Sequence, residues 1–273
     1  MTGLPEWTAE LGEVERWSVR PLAGGSVSAG VERITLHLAD GRDIHVTRKR
    51  AFAHEVAGLA AAQQVRPHAT AIPELIASGV DDDGPWLVTP FVSGTPLSGE
   101  PPANLFTSLG RLHAHFHAAP PSGLPVVDAA WWRRLCCEWV LPQVTGRAAA
   151  FVAEAADHPA VARTLERLPA TLLHGDVHTG NVLVDGPDAT LIDWGSCRVG
   201  PAVLDLANLV DRDSAGFQIY LETAGDRIGD VELGFRWAAL QIPVQYLPWT
   251  VANLSAEEVG SALDRAERAL VAL

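Results

Sequence analysis

The chain is 273 residues long and 48% hydrophobic, with 20 basic residues against 33 acidic ones and a formal net charge of −13 at pH 7. That apolar share supplies a buried core and excludes a disordered chain, while the acidic balance excludes a protein that grips nucleic acid through a basic face. No apolar run approaches a membrane span, no secretory leader is visible, and three cysteines make no disulfide framework, so a cytoplasmic protein with no membrane partner is expected.

The first ninety residues read as strands around one helix. After Val19 to Pro21 comes a small-residue loop, Ala23 to Gly30. Ile34, Leu36 and Leu38 then alternate with Arg33, Thr35 and His37, the period of a half-buried strand. Asp40-Gly41 is a hairpin turn, and Ile44 and Val46 continue the alternation on the return strand. An alanine-rich stretch, Ala51 to Gln64, reads as a helix. Two more strands follow, near Leu75-Ile76-Ala77 and Trp86 to Thr89, joined by the acidic turn Asp81 to Gly84. Beyond Ser93 the character changes, with helical spacing over Ala103–Ala118, Ala129–Val140 and Phe151–Leu168, then a strand-rich segment, Thr171 to Cys197, then helices again. Strands first and helices later predict an α+β chain of two lobes, residues 1–92 and 93–273.

The segment that carries chemistry is His174-Gly175-Asp176-Val177-His178-Thr179-Gly180-Asn181, followed by Val182 to Val184, a Gly-Pro turn, and Thr190-Leu191-Ile192-Asp193-Trp194-Gly195. The two short apolar runs predict an antiparallel hairpin, which brings Asn181, entering the first strand, beside Asp193, leaving the second. An amide oxygen and a carboxylate converging there suit Mg²⁺, a hard cation that takes oxygen ligands and keeps water. Asp176, five residues before Asn181, overhangs the same place. Three convergent oxygen side chains at a lobe boundary point to phosphoryl transfer.

The spacing His-x-Asp-x-x-x-x-Asn, then an Asp before a Gly, matches the catalytic loop and metal motif of kinases. In the particular form His174-Gly175-Asp176-x-His178-x-x-Asn181 with Ile192-Asp193-Trp194, and again in Gly200-Pro201-x-x-x-Asp205-Leu206-Ala207, the sequence resembles the aminoglycoside phosphotransferase family rather than the protein kinases. The resemblance implies a two-lobed protein-kinase-like fold with a small β-rich nucleotide lobe and a larger helical lobe. It also implies ATP or GTP as phosphate donor, Mg²⁺ as cofactor, and a small-molecule hydroxyl as acceptor. Asp176 would then be the catalytic base, Asn181 and Asp193 the metal ligands, His174 and Asp205 structural braces, and His178 a candidate phosphate contact where protein kinases carry a lysine.

In the first lobe, Gly24, Gly25 and Ser26 would let backbone amides approach phosphate oxygens. The phosphate-binding cation has two candidates. Ile44 and Val46 share a strand face taken as the inner one, and alternation adds Arg48 to it. Against this, the only lysine of the chain, Lys49, stands one residue on, and arginine does not replace lysine at such a site. Parity favours Arg48. Glu55, on the following helix, is the candidate ion-pair partner. Thr89-Pro90-Phe91-Val92 resembles a hinge that reads adenine through the Pro90 carbonyl and the Val92 amide, so a proline there removes no donor the hinge needs.

The resemblance puts the acceptor against the helical lobe, with Asp211 and Asp213 as acidic contacts and Trp237 and Gln241 as stacking and amide contacts. An acidic lobe would suit a sugar-containing and possibly cationic acceptor, first of all an aminoglycoside-like antibiotic. A metabolic kinase acting on choline, homoserine, fructosamine or a sugar is the alternative, and a non-catalytic nucleotide-binding module is a reading of another class.

Overall fold

The structure, a computed structural model, describes residues 6–22 and 30–273. Strands β1 (Val14–Pro21), β2 (Val31–Leu38), β3 (Asp43–Arg50), β4 (Ala77–Asp81) and β5 (Gly84–Pro90) form one antiparallel sheet in the order β1-β2-β3-β5-β4. The register sets Ile34 opposite Val46 and Leu36 opposite Ile44. These side chains share one face with Val88, and Trp7, Leu11, Val14, Trp17 and Trp86 pack against them in a small core of their own. The opposite face carries Val31, Thr47, Lys49, Leu87 and Thr89, which border a cavity. Each face is covered by something different, and that decides the site below. Helix α1 (Ala53–Ala62) follows β3 directly and buries Glu55, Gly58, Leu59 and Ala62.

Thr95–Pro96 (β6) begins the remaining, mostly helical part. Helix α2 (Ala103–Phe116) is amphipathic, with Leu105, Phe106, Leu109, Leu112, His113 and Phe116 buried. Helix α3 (Ala129–Arg134) runs into a wider π-helical turn over Leu135–Val140. The periodicity over Phe151–Leu168 is carried by two helices, α4 (Gly146–Ala156) and α5 (Pro159–Arg167). The break falls at His158, held extended because the ring of Pro159 disfavours helical backbone in the residue before it. The motif segment forms strands β7 (Ala170–Leu173), β8 (Val182–Asp185), β9 (Asp188–Leu191) and β10 (Arg198–Pro201), pairing as β7 with β10 and as β6-β8-β9. Helices α6 (Ala215–Ala224), α7 (Val231–Gln245), α8 (Leu247–Asn253) and α9 (Ala256–Ala272) complete the chain. No helix among the described residues is long and apolar enough to cross a membrane.

One apolar cluster joins the two parts. Leu59 and Ala62 of α1 and Leu87 of β5 pack with Leu112, Leu172, Trp194 and Cys197, so the sheet is seated directly on the motif segment. A close approach falls at Gly58, where an added Cβ would lie 2.3 Å from Cys197 Sγ. Overpacking of this kind costs about 1–3 kcal/mol. Gly58→Ala is therefore expected to lower the free energy of unfolding in urea by that order, and Cys197→Ala in the same chain to recover most of the loss. Additive losses in the double variant would show that the contact is not the cause.

Candidate active site

The β8–β9 hairpin sets Val182 opposite Leu191, and the Ile192 N–H donates to the Asn181 carbonyl at 2.9 Å, extending the pairing to the ends of the two strands. Asn181 and Asp193 thus emerge side by side on one cavity of about 470 Å³, closed on its other side by the sheet face that carries Thr47, Lys49, Leu87 and Thr89. Asp193 has φ 61° and ψ 71° and is the one non-glycine residue with positive φ among those described. Aspartate tolerates this left-handed backbone better than most residues, and the strain turns its carboxylate back toward the cavity. Gly175 is required by space as well as conformation: at φ 85°, a Cβ would lie 2.1 Å from the Ser196 carbonyl oxygen.

Lys49 is the cation at this cavity. Its ammonium lies 2.5 Å from Glu55 Oε1 and donates to Asp193 Oδ1 at 2.8 Å. Burial alone would lower its pKa, but the two carboxylates more than offset that and raise it, so Lys49 stays charged. Asp193 is likewise opposed by burial and held below the usual carboxylate range by Lys49. Glu55, the most deeply buried of the three, is pushed up by burial, which Lys49 only partly offsets.

Arg48 lies on the other face. It donates to Asp81 Oδ2 at 3.1 Å, with its guanidinium over the Trp86 ring, and Arg50 pairs with Asp81 and Asp83. This corrects the parity argument. The apolar stripe Ile44–Val46 marks the small core on the back of the sheet, and the cleft face is the more polar one. The acidic turn is correspondingly an exposed partner for two arginines.

Asp205 organises the catalytic loop from below. It is fully buried, and it accepts the backbone N–H groups of His174 at 2.7 Å and Gly175 at 2.8 Å. His113 Nε2 stands 3.3 Å from the same carboxylate, and His113 Nδ1 is 2.9 Å from the Tyr220 hydroxyl. Burial works against the charge on Asp205, yet the His113 hydrogen bond and the loop amides outweigh it and keep the pKa low. His174 is wholly buried too. Its Nε2 lies 2.9 Å from the Ile192 carbonyl and its Nδ1 3.3 Å from the Asp176 N–H, which ties the loop to the segment that follows β9 and carries Asp193.

Asp176 receives Asn181 Nδ2 on its carbonyl oxygen at 3.0 Å and on Oδ2 at 3.3 Å, while Oδ1 accepts from the Tyr246 hydroxyl. His178 Nδ1 accepts from the Gly180 N–H at 3.0 Å, and its Nε2 lies 3.8 Å from Asp176 Oδ2. Pro90 and Val92 border the cavity, and the Val92 N–H has no hydrogen-bond partner among the described residues.

Two oxygens there suit a divalent cation. The Asn181 carboxamide oxygen and Asp193 Oδ2 make no hydrogen bond among the described residues, and both belong to residues on the cavity wall. Among the described residues no group of three His, Cys, Asp or Glu could hold a metal. The pair therefore fits an ion, such as Mg²⁺, that draws its remaining ligands from water and phosphate.

The remaining expectations fall elsewhere. Gly24, Gly25 and Ser26 lie outside the described residues. Trp237 is fully buried against Trp132, with ring centroids 5.2 Å apart, and Gln241 is buried with its amide directed to Gln245 Oε1. Neither can touch an acceptor, because both serve the helical core. Asp211 and Asp213 are exposed and border neither of the two large cavities. Spacing along the chain connects neither His113 to Asp205 nor Tyr246 to Asp176, and both contacts appear only in the fold.

Sheet, hairpin and loop together define a kinase-like phosphotransferase. The sequence matches the phosphotransferase enzyme family over residues 18–241, and the chain belongs to that family, the one its motifs resemble. Solved structures of similar fold include a thermostable variant of the aminoglycoside phosphotransferase APH(4)-Ia in ternary complex with AMP-PNP and hygromycin B (17% identity over 97% of this chain and 96% of that one, TM-score 0.58). Others are a putative aminoglycoside phosphotransferase from Ralstonia eutropha JMP134 (14%, 97% and 94%, TM-score 0.57) and the GDP complex of a variant aminoglycoside 2'-phosphotransferase-IIIa (16%, 95% and 93%, TM-score 0.56). At these identities the likeness is one of fold. No curated protein matches the sequence.

The buried His174 gives the loop a pH dependence. Burial lowers its pKa in the folded protein, whereas the unfolded chain takes up a proton below about pH 6.5. The unfolded state then binds more protons, so this residue makes stability fall as pH drops below about 6.5. His174→Gln is expected to be less stable at pH 7.5 but to lose less between pH 7.5 and 5 than the wild type, read from denaturant midpoints. Equal losses would mean that His174 is protonated in the native protein.

Proposed function

We propose that the enzyme transfers the γ-phosphoryl group of ATP or GTP to a hydroxyl of a small molecule, with Mg²⁺ held by Asn181 and Asp193. The observation that carries this reading is the convergence of Lys49, Glu55, Asn181 and Asp193 on one cavity, with Asp176 bonded to Asn181 at its edge. In it, Lys49, fixed by Glu55, meets the donor's phosphates, and the unpartnered Val92 N–H with the Pro90 carbonyl receives the base. The ion, when bound, neutralises charge on the transferring phosphate. Asp176 orients the acceptor's hydroxyl and takes its proton. Nucleotide complexes among the structural neighbours support a nucleoside triphosphate donor, and such a donor suits a cytoplasmic enzyme with free thiols.

For the acceptor, the reading begins with a cavity of about 610 Å³ between α7, α8 and α9, whose wall includes Tyr246, the residue that reaches Asp176. A sugar-containing antibiotic of the aminoglycoside kind is the first candidate, supported by the hygromycin B complex of a structural neighbour. A metabolic alcohol is the second, and the wall itself favours it. Ala207, Phe235, Ala238, Ile242, Pro243 and Leu254 are apolar, and the carboxylates are only Glu257 and Glu258, the latter engaged in capping α9 through Ser255. A polycation would need more carboxylates than these.

The test is release of ADP from Mg-ATP, or of GDP from Mg-GTP, over a panel of aminoglycosides and small metabolic alcohols. With the acceptor that responds, Asp176→Ala is expected to cut turnover by about 10²-fold or more, with nucleotide affinity changed little. Lys49→Ala should weaken nucleotide use, and Arg48→Ala should leave both unaltered. Wild-type turnover in Asp176→Ala would overturn the assignment, and nucleotide binding without transfer to any acceptor would favour a non-catalytic module.

A further inference from the structure

Tyr246 stands at the junction of α7 and α8, outside helical geometry at φ −95° and ψ 5°, with Pro243 inside α7 before it and Pro248 in the first turn of α8 after it. The bend aims its ring inward, and its hydroxyl donates to Asp176 Oδ1. Burial and the neighbouring Asp176 carboxylate push the phenol's pKa up, so it is a permanent donor. The other carboxylate oxygen is taken by Asn181 at 3.3 Å. Among the described residues, only Tyr246 both bonds Asp176 and borders the cavity between α7, α8 and α9. That cavity's wall includes Tyr246 and not Asp176, and an alcohol offers Oδ1 the same O–H donor that the phenol does.

Resting on the phosphotransfer reading above, we infer that Tyr246 is a placeholder for the acceptor: its hydroxyl occupies the acceptor hydroxyl's position on Asp176 in the free enzyme and is displaced when the acceptor binds. The arrangement protects the donor nucleotide. With Oδ1 occupied, water is kept from the one oxygen that could orient and deprotonate it. Without the phenol, a water there would attack the γ-phosphorus, the bond from that phosphorus to the β,γ-bridging oxygen would break, and the water's proton would pass to Asp176. The products are ADP and inorganic phosphate.

Tyr246→Phe removes the hydroxyl and keeps the ring. With Mg-ATP and no acceptor, it is expected to release inorganic phosphate at least about fivefold faster than wild type, the weight of one ordinary hydrogen bond. Tyr246→Phe/Asp176→Asn should lose the gain. A merely structural phenol would leave hydrolysis unchanged or lower it, and either result overturns the inference. The chain has two tyrosines, so ¹³Cζ-tyrosine labelling gives an independent reading, with the Tyr246 signal assigned from Tyr246→Phe. Adding AMP-PNP and a turned-over acceptor should move that signal toward its position in Asp176→Asn, and an unmoved signal overturns the inference. Inactive Asp176→Ala with no gain in Tyr246→Phe defeats the placeholder alone. Fully active Asp176→Ala defeats the assignment of Asp176 on which the placeholder rests, and nucleotide binding without transfer to any acceptor defeats the phosphotransfer reading itself.

Discussion

The Lys49 ammonium is where the architecture closes. It belongs to β3, Glu55 to the next element, α1, and Asp193 lies just past the β8–β9 hairpin, so one cation ties two consecutive elements to a hairpin 144 residues along the chain. Taking such a group out of water is costly, and a buried pair stabilises only where geometry and further bonds compensate. Here a second carboxylate supplies that compensation. Loss of the lysine would leave Glu55 buried and unpaired, at about 3–5 kcal/mol. On the proposed function the same ammonium would meet the triphosphate, so stability and nucleotide binding would draw on one residue.

A second buried charge does for the catalytic loop what Lys49 does for the sheet. Asp205 spends its carboxylate on two consecutive loop amides and on His113, which Tyr220 fixes in turn. The loop is thereby pinned in backbone rather than side chain, and Asp176 is left at its rim with one oxygen toward Asn181 and the other toward Tyr246. His174 links this assembly to Ile192. Any displacement of the loop must therefore move Ile192, just past β9 and next to Asp193. Asp176 and Asp193, the proposed base and metal ligand, are coupled through buried hydrogen bonds, which in a low-dielectric interior resist rearrangement.

The parts of this design that were legible in the sequence are those fixed by local spacing. The hairpin that brings Asn181 to Asp193 follows from two apolar runs and a turn, and the α+β order follows from the change of period near Ser93. Where a residue's meaning depends on what covers it, the sequence was silent or misleading. Alternation named the residues that share a face with Ile44 but not whether that face meets the cleft or Trp17, and Arg48 was preferred to Lys49 for that reason. Trp237 and Gln241 carry the chemistry of a binding site, yet helical periodicity does not tell an amide aimed at a ligand from one aimed at Gln245. The lone lysine in an arginine-rich chain was the better signal, because composition bias makes an exception informative.

The acceptor side is harder to read for a structural reason. The donor cavity is walled by segments next to the motifs, whereas the second cavity is assembled from α7, α8 and α9, whose sequences only look like helical packing. Its apolar wall and sparse carboxylates mean that the overall charge of −13 says little about what enters it. Much of the acid nearby is committed to the protein's own structure: Glu232 to Arg212 and Arg236, Asp230 to the first turn of α7, and Glu258 to capping α9. On the proposed function, selection of the acceptor would then rest on shape and on one oxygen of Asp176. A site of that kind would discriminate by whether an alcohol can reach past Tyr246, rather than by how strongly its charge is attracted.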